Sequence, residues 1–242
     1  MDVDKTIGGI YYTDFHVLPE IMKVCLENLK KNFIGDIVSV SLKRPLDLGK
    51  NIVIQALRSY PTMALQIYTA LEASTSDYVF FLEHDVLYHK SHFDFVPPRD
   101  DIYYYDDNGW RWAYGSDFAI TWDHLTPLSM MCANRLTALK HYKHRLDLIE
   151  KWGLDKIRSR EPRWARRFGY EPGSKKINRG GVSDEDQESW TAPFPCIDIR
   201  HGGTFTRAKL YLNEFTHPPV NFREIKSDQI PGWNLRELFN LP

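Results

Sequence analysis

The chain has 242 residues, a length at which one hydrophobic core still grows as a single domain, so one active site is expected. Hydrophobic residues make up 43% and charged residues 26%, a globular balance that excludes wholesale disorder. The net charge of −1 is uneven: 156–181 carries a local balance of +7 and the rest −8, an asymmetry that marks a binding surface.

In chain order, the charged start Met1-Asp2-Val3-Asp4-Lys5 is followed by no signal-type apolar h-region and does not read as a secretory signal. The apolar and aromatic run over 7–13 predicts a buried strand that ends at Asp14. Residues 17–31 then place Val17, Leu18, Ile21, Met22, Val24, Cys25 and Leu29 at largely helical spacing. Alternation over 37–42 predicts a second strand, followed by a loop over 43–50 broken by Pro45 and Gly49. Pro61 suits the first turn of a helix running to Ala73. The segment Asp77-Tyr78-Val79-Phe80-Phe81-Leu82 is too continuously apolar for a strand with one wet face and reads as the centre of a parallel sheet.

This alternation predicts an α/β fold, a layered single domain with a mainly parallel central sheet flanked by helices. In such sheets ligands bind beyond the carboxyl ends of the strands, so the residues after Leu82 are where chemistry is expected. Downstream the pattern is less regular. An aromatic, turn-rich stretch over 102–122 is assigned to a pocket wall, 128–133 reads as a strand, and 136–152 reads as a helix. A basic stretch runs to Gly181, an acidic helix start is expected at Ser183, and 196–206 alternates up to His201 before Gly202 and Gly203. No stretch reaches the roughly 18 apolar residues of a membrane span. Cys25, Cys132 and Cys196 are odd in number and far apart, which fits buried thiols in a reducing cytoplasm better than a disulfide framework or a CxxC zinc site.

Glu83-His84-Asp85 places two carboxylates at i and i+2, on the same side of an extended chain, where they can hold a hard divalent cation, Mn²⁺ or Mg²⁺, together with phosphate oxygens. Read without that cation, they are solvated residues where a strand leaves its sheet. Asp184-Glu185-Asp186 after Ser183 reads equally as an acidic first helical turn.

In order, these motifs resemble GT-A glycosyltransferases over most of the chain. Glu83-His84-Asp85 resembles their Asp-x-Asp metal motif, with Glu in the first position. Tyr114-Gly115-Ser116 resembles a glycine-containing loop, Asp184-Glu185-Asp186 an x-Glu-Asp motif, and His201 a C-terminal metal-ligating histidine. The resemblance implies a metal-dependent, inverting transferase of the nucleotide-diphosphate-sugar class. Asp85 and His201 would hold the metal, and Asp186 would be the base with Glu185 beside it. Tyr12, Thr13, Asp14, Arg58, Glu83 and His84 would contact the donor. It also implies a division into a nucleotide-sugar half over 1–100 and an acceptor half over 101–242.

Arg163, Trp164, Arg166 and Arg167 mix cationic and aromatic side chains in the basic stretch and are candidate contacts to an anionic acceptor, either nucleic acid or glycan. Two alternatives stay open. A sugar nucleotidyltransferase would share fold and metal but carry a long glycine-rich loop after its first strand, where this chain has only Gly8 and Gly9 before it. A non-catalytic nucleic-acid-binding protein would use the basic stretch alone.

Overall fold

The computed structural model describes residues 5–152, 172–173, 186–204 and 209–241. Two sheets organise them. The larger has seven strands: β1 (Ile7–Thr13), β2 (Asp36–Leu42), β3 (Lys50–Ile54), β4 (Tyr78–Glu83), β6 (Ile102–Asp106), β9 (Met131–Asn134) and β10 (Asp186–Trp190), in the order β10-β6-β9-β4-β1-β2-β3. Only β9 runs against the others, so the sheet is mainly parallel, as expected. The smaller has five strands. These are β5 (Val86–Leu87), β7 (Gly109–Ala113), β8 (Phe118–Thr121), β11 (Cys196–Arg200) and β12 (Arg223–Lys226), in the order β12-β8-β7-β11-β5.

The two-residue period of the strands sorts their side chains into separate cores. Ile10, Tyr12, Val79 and Phe81 face the helices α2 (Tyr60–Ala73) and α3 (Arg135–Trp152), while Tyr11, Tyr78, Phe80 and Leu82 face α1 (Pro19–Asn32). Within α1, Ile21, Cys25 and Leu29 are buried at successive i+4 steps, and lysines occupy the last turn. The Ser59 hydroxyl caps α2 by accepting from the Thr62 amide at 3.2 Å. Under the second sheet, Trp112, Ile197 and Ile199 pack with α1 and the short C-terminal α4 (Leu235–Leu238).

Four expectations change. The strand β3 lies where a loop runs into the next helix in the sequence reading. It is a short edge strand opening on Lys50 and Asn51, with only Ile52 and Ile54 packed inward. The aromatic stretch folds into β6, β7 and β8: Tyr103, Tyr104, Tyr105 and Trp112 are buried core residues, and only Arg111 and Trp122 reach the cleft. A 3₁₀ turn over Leu128–Met130 precedes β9. Asp186 opens a strand rather than continuing a helix, because it pairs in parallel register with Ile102 at the sheet edge. Gly8 and Gly9 lie inside β1, where a Cβ would meet Ser76 or Leu82 within 2.6 Å, so close packing explains them. The three cysteines are free and buried.

Candidate active site

The site forms where β1 and β4 end side by side, with Tyr12 in register with Glu83. Beyond Glu83 the chain reverses through His84 and Asp85 into β5. The Ile199 amide donates to the Asp85 carbonyl at 2.8 Å, which fastens this turn to β11 of the second sheet. Asp198 and Arg200 project from β11 two residues apart on one face, and His201 follows directly. The carboxyl end of the large sheet and one face of the small sheet thus enclose a cleft of about 290 Å³.

Tyr12, Thr13, Asp14, Arg58 and Gln66 line the cleft from the large sheet and α2. Arg58 Nε pairs with Asp14, and its Nη2 donates to the Gly203 carbonyl at 2.9 Å, tying the first strand to the loop after β11. Gln66 Nε2 donates to the Thr13 and Val40 carbonyls, each at 2.9 Å, and fixes the two strand ends from α2. Phe15 takes a φ of 60°, a costly region for a side-chain-bearing residue, and hydrogen bonds from the Phe15 amide to Thr13 Oγ1 and from the His16 amide to Asp14 Oδ1 hold the bend. Arg111, Trp122, Asp198 and Arg200 line it from the small sheet. Both guanidinium groups lie 3.2 Å from Asp198, and that of Arg111 also covers the Trp122 ring at 4.7 Å.

His84, Asp85 and His201 each bring one ligand atom within 4.8 Å of the others. His201 Nε2 is buried, 3.3 Å from Asp85 Oδ2 but out of line for a hydrogen bond. A buried nitrogen without an aligned partner, beside a carboxylate and a second imidazole, fits a divalent cation. The fit asks for one local change. The Gly203 amide donates to His201 Nδ1 at 3.0 Å, which leaves the neutral ring's proton on Nε2, so ligation there needs the proton on Nδ1 and the amide turned aside.

The two carboxyls of the turn are shifted in opposite directions. Burial, and then the neighbouring Asp85, push the Glu83 carboxyl up to about 8, although the Tyr12 hydroxyl donates to it. Burial also pushes Asp85 upward, but His84, His201 and Arg200 outweigh it and hold that carboxyl below its usual range. Two carboxylates in one half-buried turn disfavour each other's ionisation, and a cation beside them would favour the ionised form of both.

The structure therefore brings Tyr12, Thr13, Asp14, Arg58, Glu83, His84 and Asp85 to one cleft, with His201 buried beside Asp85. It does not bring Asp186, which is exposed at the amino end of β10, while Glu83 is at the carboxyl end of β4. Among the described residues the base role expected of Asp186 has no geometric basis. Glu185, Arg163, Trp164, Arg166 and Arg167 lie outside the described residues. Tyr114-Gly115-Ser116 is the β7–β8 turn and does not line the cleft. Gln66, Arg111, Asp198 and Arg200 are cleft residues the sequence reading did not single out. For the last two, the alternation leading to His201 was a usable signal.

No protein-family model matches the sequence, and no curated protein matches it. Among solved structures, the chain is similar to the glycosyltransferase GlyE of Streptococcus pneumoniae TIGR4 (12% identity, 77% of this chain and 45% of that one, TM-score 0.44). It is also similar to Rv0371c of Mycobacterium tuberculosis H37Rv in complex with manganese (10% identity, 81% and 92%, TM-score 0.42). A third is M. tuberculosis glucosyl-3-phosphoglycerate synthase with Mn²⁺, uridine diphosphate and phosphoglyceric acid (11% identity, 62% and 66%, TM-score 0.35). The chain spans less than half the length of GlyE. Likenesses at this level assign no activity, which has to come from the cleft itself.

Proposed function

We propose that the chain is an enzyme that transfers a sugar from a nucleoside diphosphate sugar to an acceptor hydroxyl with the help of a divalent cation, Mn²⁺ or Mg²⁺. The observation that carries this reading is the meeting of Glu83-His84-Asp85 with His201 at the carboxyl end of the sheet, beside one cleft lined by polar groups from both sheets. Asp85 and His201, with His84, would hold the cation, which supplies Lewis-acid stabilisation of the departing diphosphate.

The chain's own residues divide the remaining work. Tyr12, Thr13, Asp14 and Arg58 bind the nucleoside portion of the donor, with Gln66 fixing the strand ends that carry them. Glu83, held by the Tyr12 hydroxyl, faces the donor beside the cation ligands. Arg111, Trp122, Asp198 and Arg200 form the acceptor side, where hydrogen-bonding groups suit a sugar or another polyhydroxyl compound. Without Asp186 in the cleft, the inverting mechanism loses the residue that supported it, and the reading stands without a stereochemical assignment. The basic stretch remains a candidate contact for an anionic acceptor.

The reading is tested by incubating the chain with a panel of nucleoside diphosphate sugars in Mn²⁺ or EDTA and measuring free nucleoside diphosphate. Slow release with one donor in Mn²⁺ alone supports it. A nucleotidyltransferase would release pyrophosphate from a nucleoside triphosphate and sugar phosphate, and a nucleic-acid-binding protein would release neither.

A further inference from the structure

Tyr88 lies beneath the Glu83-His84-Asp85 turn, fully buried, with its ring against His92 and Phe93. The chain reversal at His84 and Asp85 folds residue 88 back under residue 83. Its hydroxyl there accepts from the Glu83 amide at 3.0 Å and donates to the Ser129 carbonyl at 2.9 Å. Ser129 lines the cleft just ahead of β9, the strand paired with β4, so a single oxygen atom ties the acidic turn to the neighbouring strand's entry.

The backbone of Tyr88 is held just as firmly. Asn28 Oδ1 accepts from the Tyr88 amide at 2.9 Å, and Asn32 Nδ2 donates to the Tyr88 carbonyl at 2.8 Å. These two asparagines are one helical turn apart on α1 and grip both sides of one peptide segment. The preceding residues Val86 and Leu87 pair with β11, the strand that leads to His201. Every polar group of Tyr88 therefore has a partner, and the partners belong to three separate elements.

We propose that Tyr88 is a positioning residue, whose hydroxyl sets the placement of the Glu83-His84-Asp85 turn against the cleft wall and so the affinity of the site for a divalent cation. This rests on the cation reading of the same turn. The reason is geometric: replacing Tyr88 by phenylalanine keeps the ring and creates no large cavity, but it leaves the Glu83 amide and the Ser129 carbonyl without their shared partner. A turn freed from that constraint no longer holds its carboxylates in register with His201. Groups that orient metal ligands change metal affinity by about 10–100-fold when removed.

The test measures binding of Mn²⁺ alone to the intact chain by electron paramagnetic resonance, with the urea midpoint in EDTA recorded beside it, for the wild type, Tyr88→Phe and Asn28→Ala. The expected result is a Tyr88→Phe variant that keeps its fold and binds Mn²⁺ about 10-fold or more weakly. Unchanged Mn²⁺ affinity with a lowered midpoint would show a purely structural tyrosine and overturn the proposal while leaving the cation reading intact. A wild type that binds no Mn²⁺ would overturn both. Should Tyr88→Phe fail to fold, Asn28→Ala, which releases the Tyr88 amide, must weaken Mn²⁺ in the same direction, and wild-type affinity in that variant overturns the positioning role.

Discussion

His201 Nε2 lies 3.3 Å from Asp85 Oδ2, across the seam between the two sheets, and the nitrogen has no aligned hydrogen-bond partner. Because neither side chain is needed to bury the core, both should be removable without unfolding the chain. Asp85→Ala and His201→Ala are each expected to keep the circular dichroism spectrum of the wild type and to lower metal-dependent donor hydrolysis by about 10²-fold or more, the scale of losing one preorganised electrostatic group. Full activity in Asp85→Ala removes the metal assignment.

Gly203 explains how the loop after β11 approaches the first strand. A Cβ at this position would fall 2.1 Å from the His16 carbonyl oxygen, a backbone atom that cannot step aside cheaply. Gly203→Ala is therefore expected to push the loop outward, break the Arg58–Gly203 hydrogen bond and move His201 away from Asp85. Donor affinity and Mn²⁺ affinity should both fall, while Gly202→Ala, whose Cβ meets nothing within 4 Å, should change neither. Equal behaviour of the two variants in a Mn²⁺ titration would contradict this account of the loop.

Glu83 gives the metal-free chain a pH dependence of defined sign. Its carboxyl is raised from 4.5 to about 8 on folding, so between those values the folded state keeps a proton that the unfolded state has lost. Stability is then greatest below the unfolded value, falls as pH rises toward 8 and levels off above it, with a slope of at most about 1.4 kcal/mol per pH unit for one proton. Asp85, shifted the other way, loses its contribution only as pH falls below the usual carboxylate range, outside this window. Urea unfolding in EDTA at pH 5, 6, 7 and 8 should show the decline in the wild type and a flatter profile in Glu83→Gln. Parallel profiles would show that Glu83 titrates normally.

Asp186 separates the sequence reading from the structural one. A general base contributes about 10²–10⁴-fold to a rate. An exposed residue at the far end of an edge strand contributes nothing to chemistry at Asp85, so Asp186→Asn is expected to transfer sugar within about twofold of the wild type, measured as product formed per unit time. A loss in the range expected of a base would restore the role that the x-Glu-Asp resemblance implied.

Much of the architecture was legible because its signals are local and strong. The apolar run before Glu83 could only be a central strand, and β1, β2, α1 and α2 follow their hydrophobic periods to within a residue or two. What escaped has a physical reason in each case. The β3 strand is short, at an edge and polar at its start. The tyrosines over 103–105 and Trp112 looked like pocket walls because large rings serve cores and sugar sites equally well, and only burial distinguishes the two. Asp186 after two other acids resembled a helix start until its pairing with Ile102 was visible, since parallel pairing depends on residues far away in sequence. In the cleft, the residues adjacent to strand ends were readable, whereas Gln66 arrives from a helix whose sequence carries no mark of the site, and Arg111 is one cation within the aromatic stretch.

The central claim is that the cleft binds a nucleoside diphosphate through a divalent cation held at Asp85, and calorimetric titration tests it most directly. Uridine, guanosine, adenosine and cytidine diphosphates would each be titrated into the chain in Mn²⁺ and in EDTA, and then into Asp85→Ala. The account predicts that at least one nucleotide binds in Mn²⁺, that EDTA weakens this binding at least about tenfold, or about 1.4 kcal/mol, and that Asp85→Ala in Mn²⁺ matches the wild type in EDTA. Binding of equal strength in Mn²⁺ and EDTA, or no binding of any of the four in Mn²⁺, would contradict it.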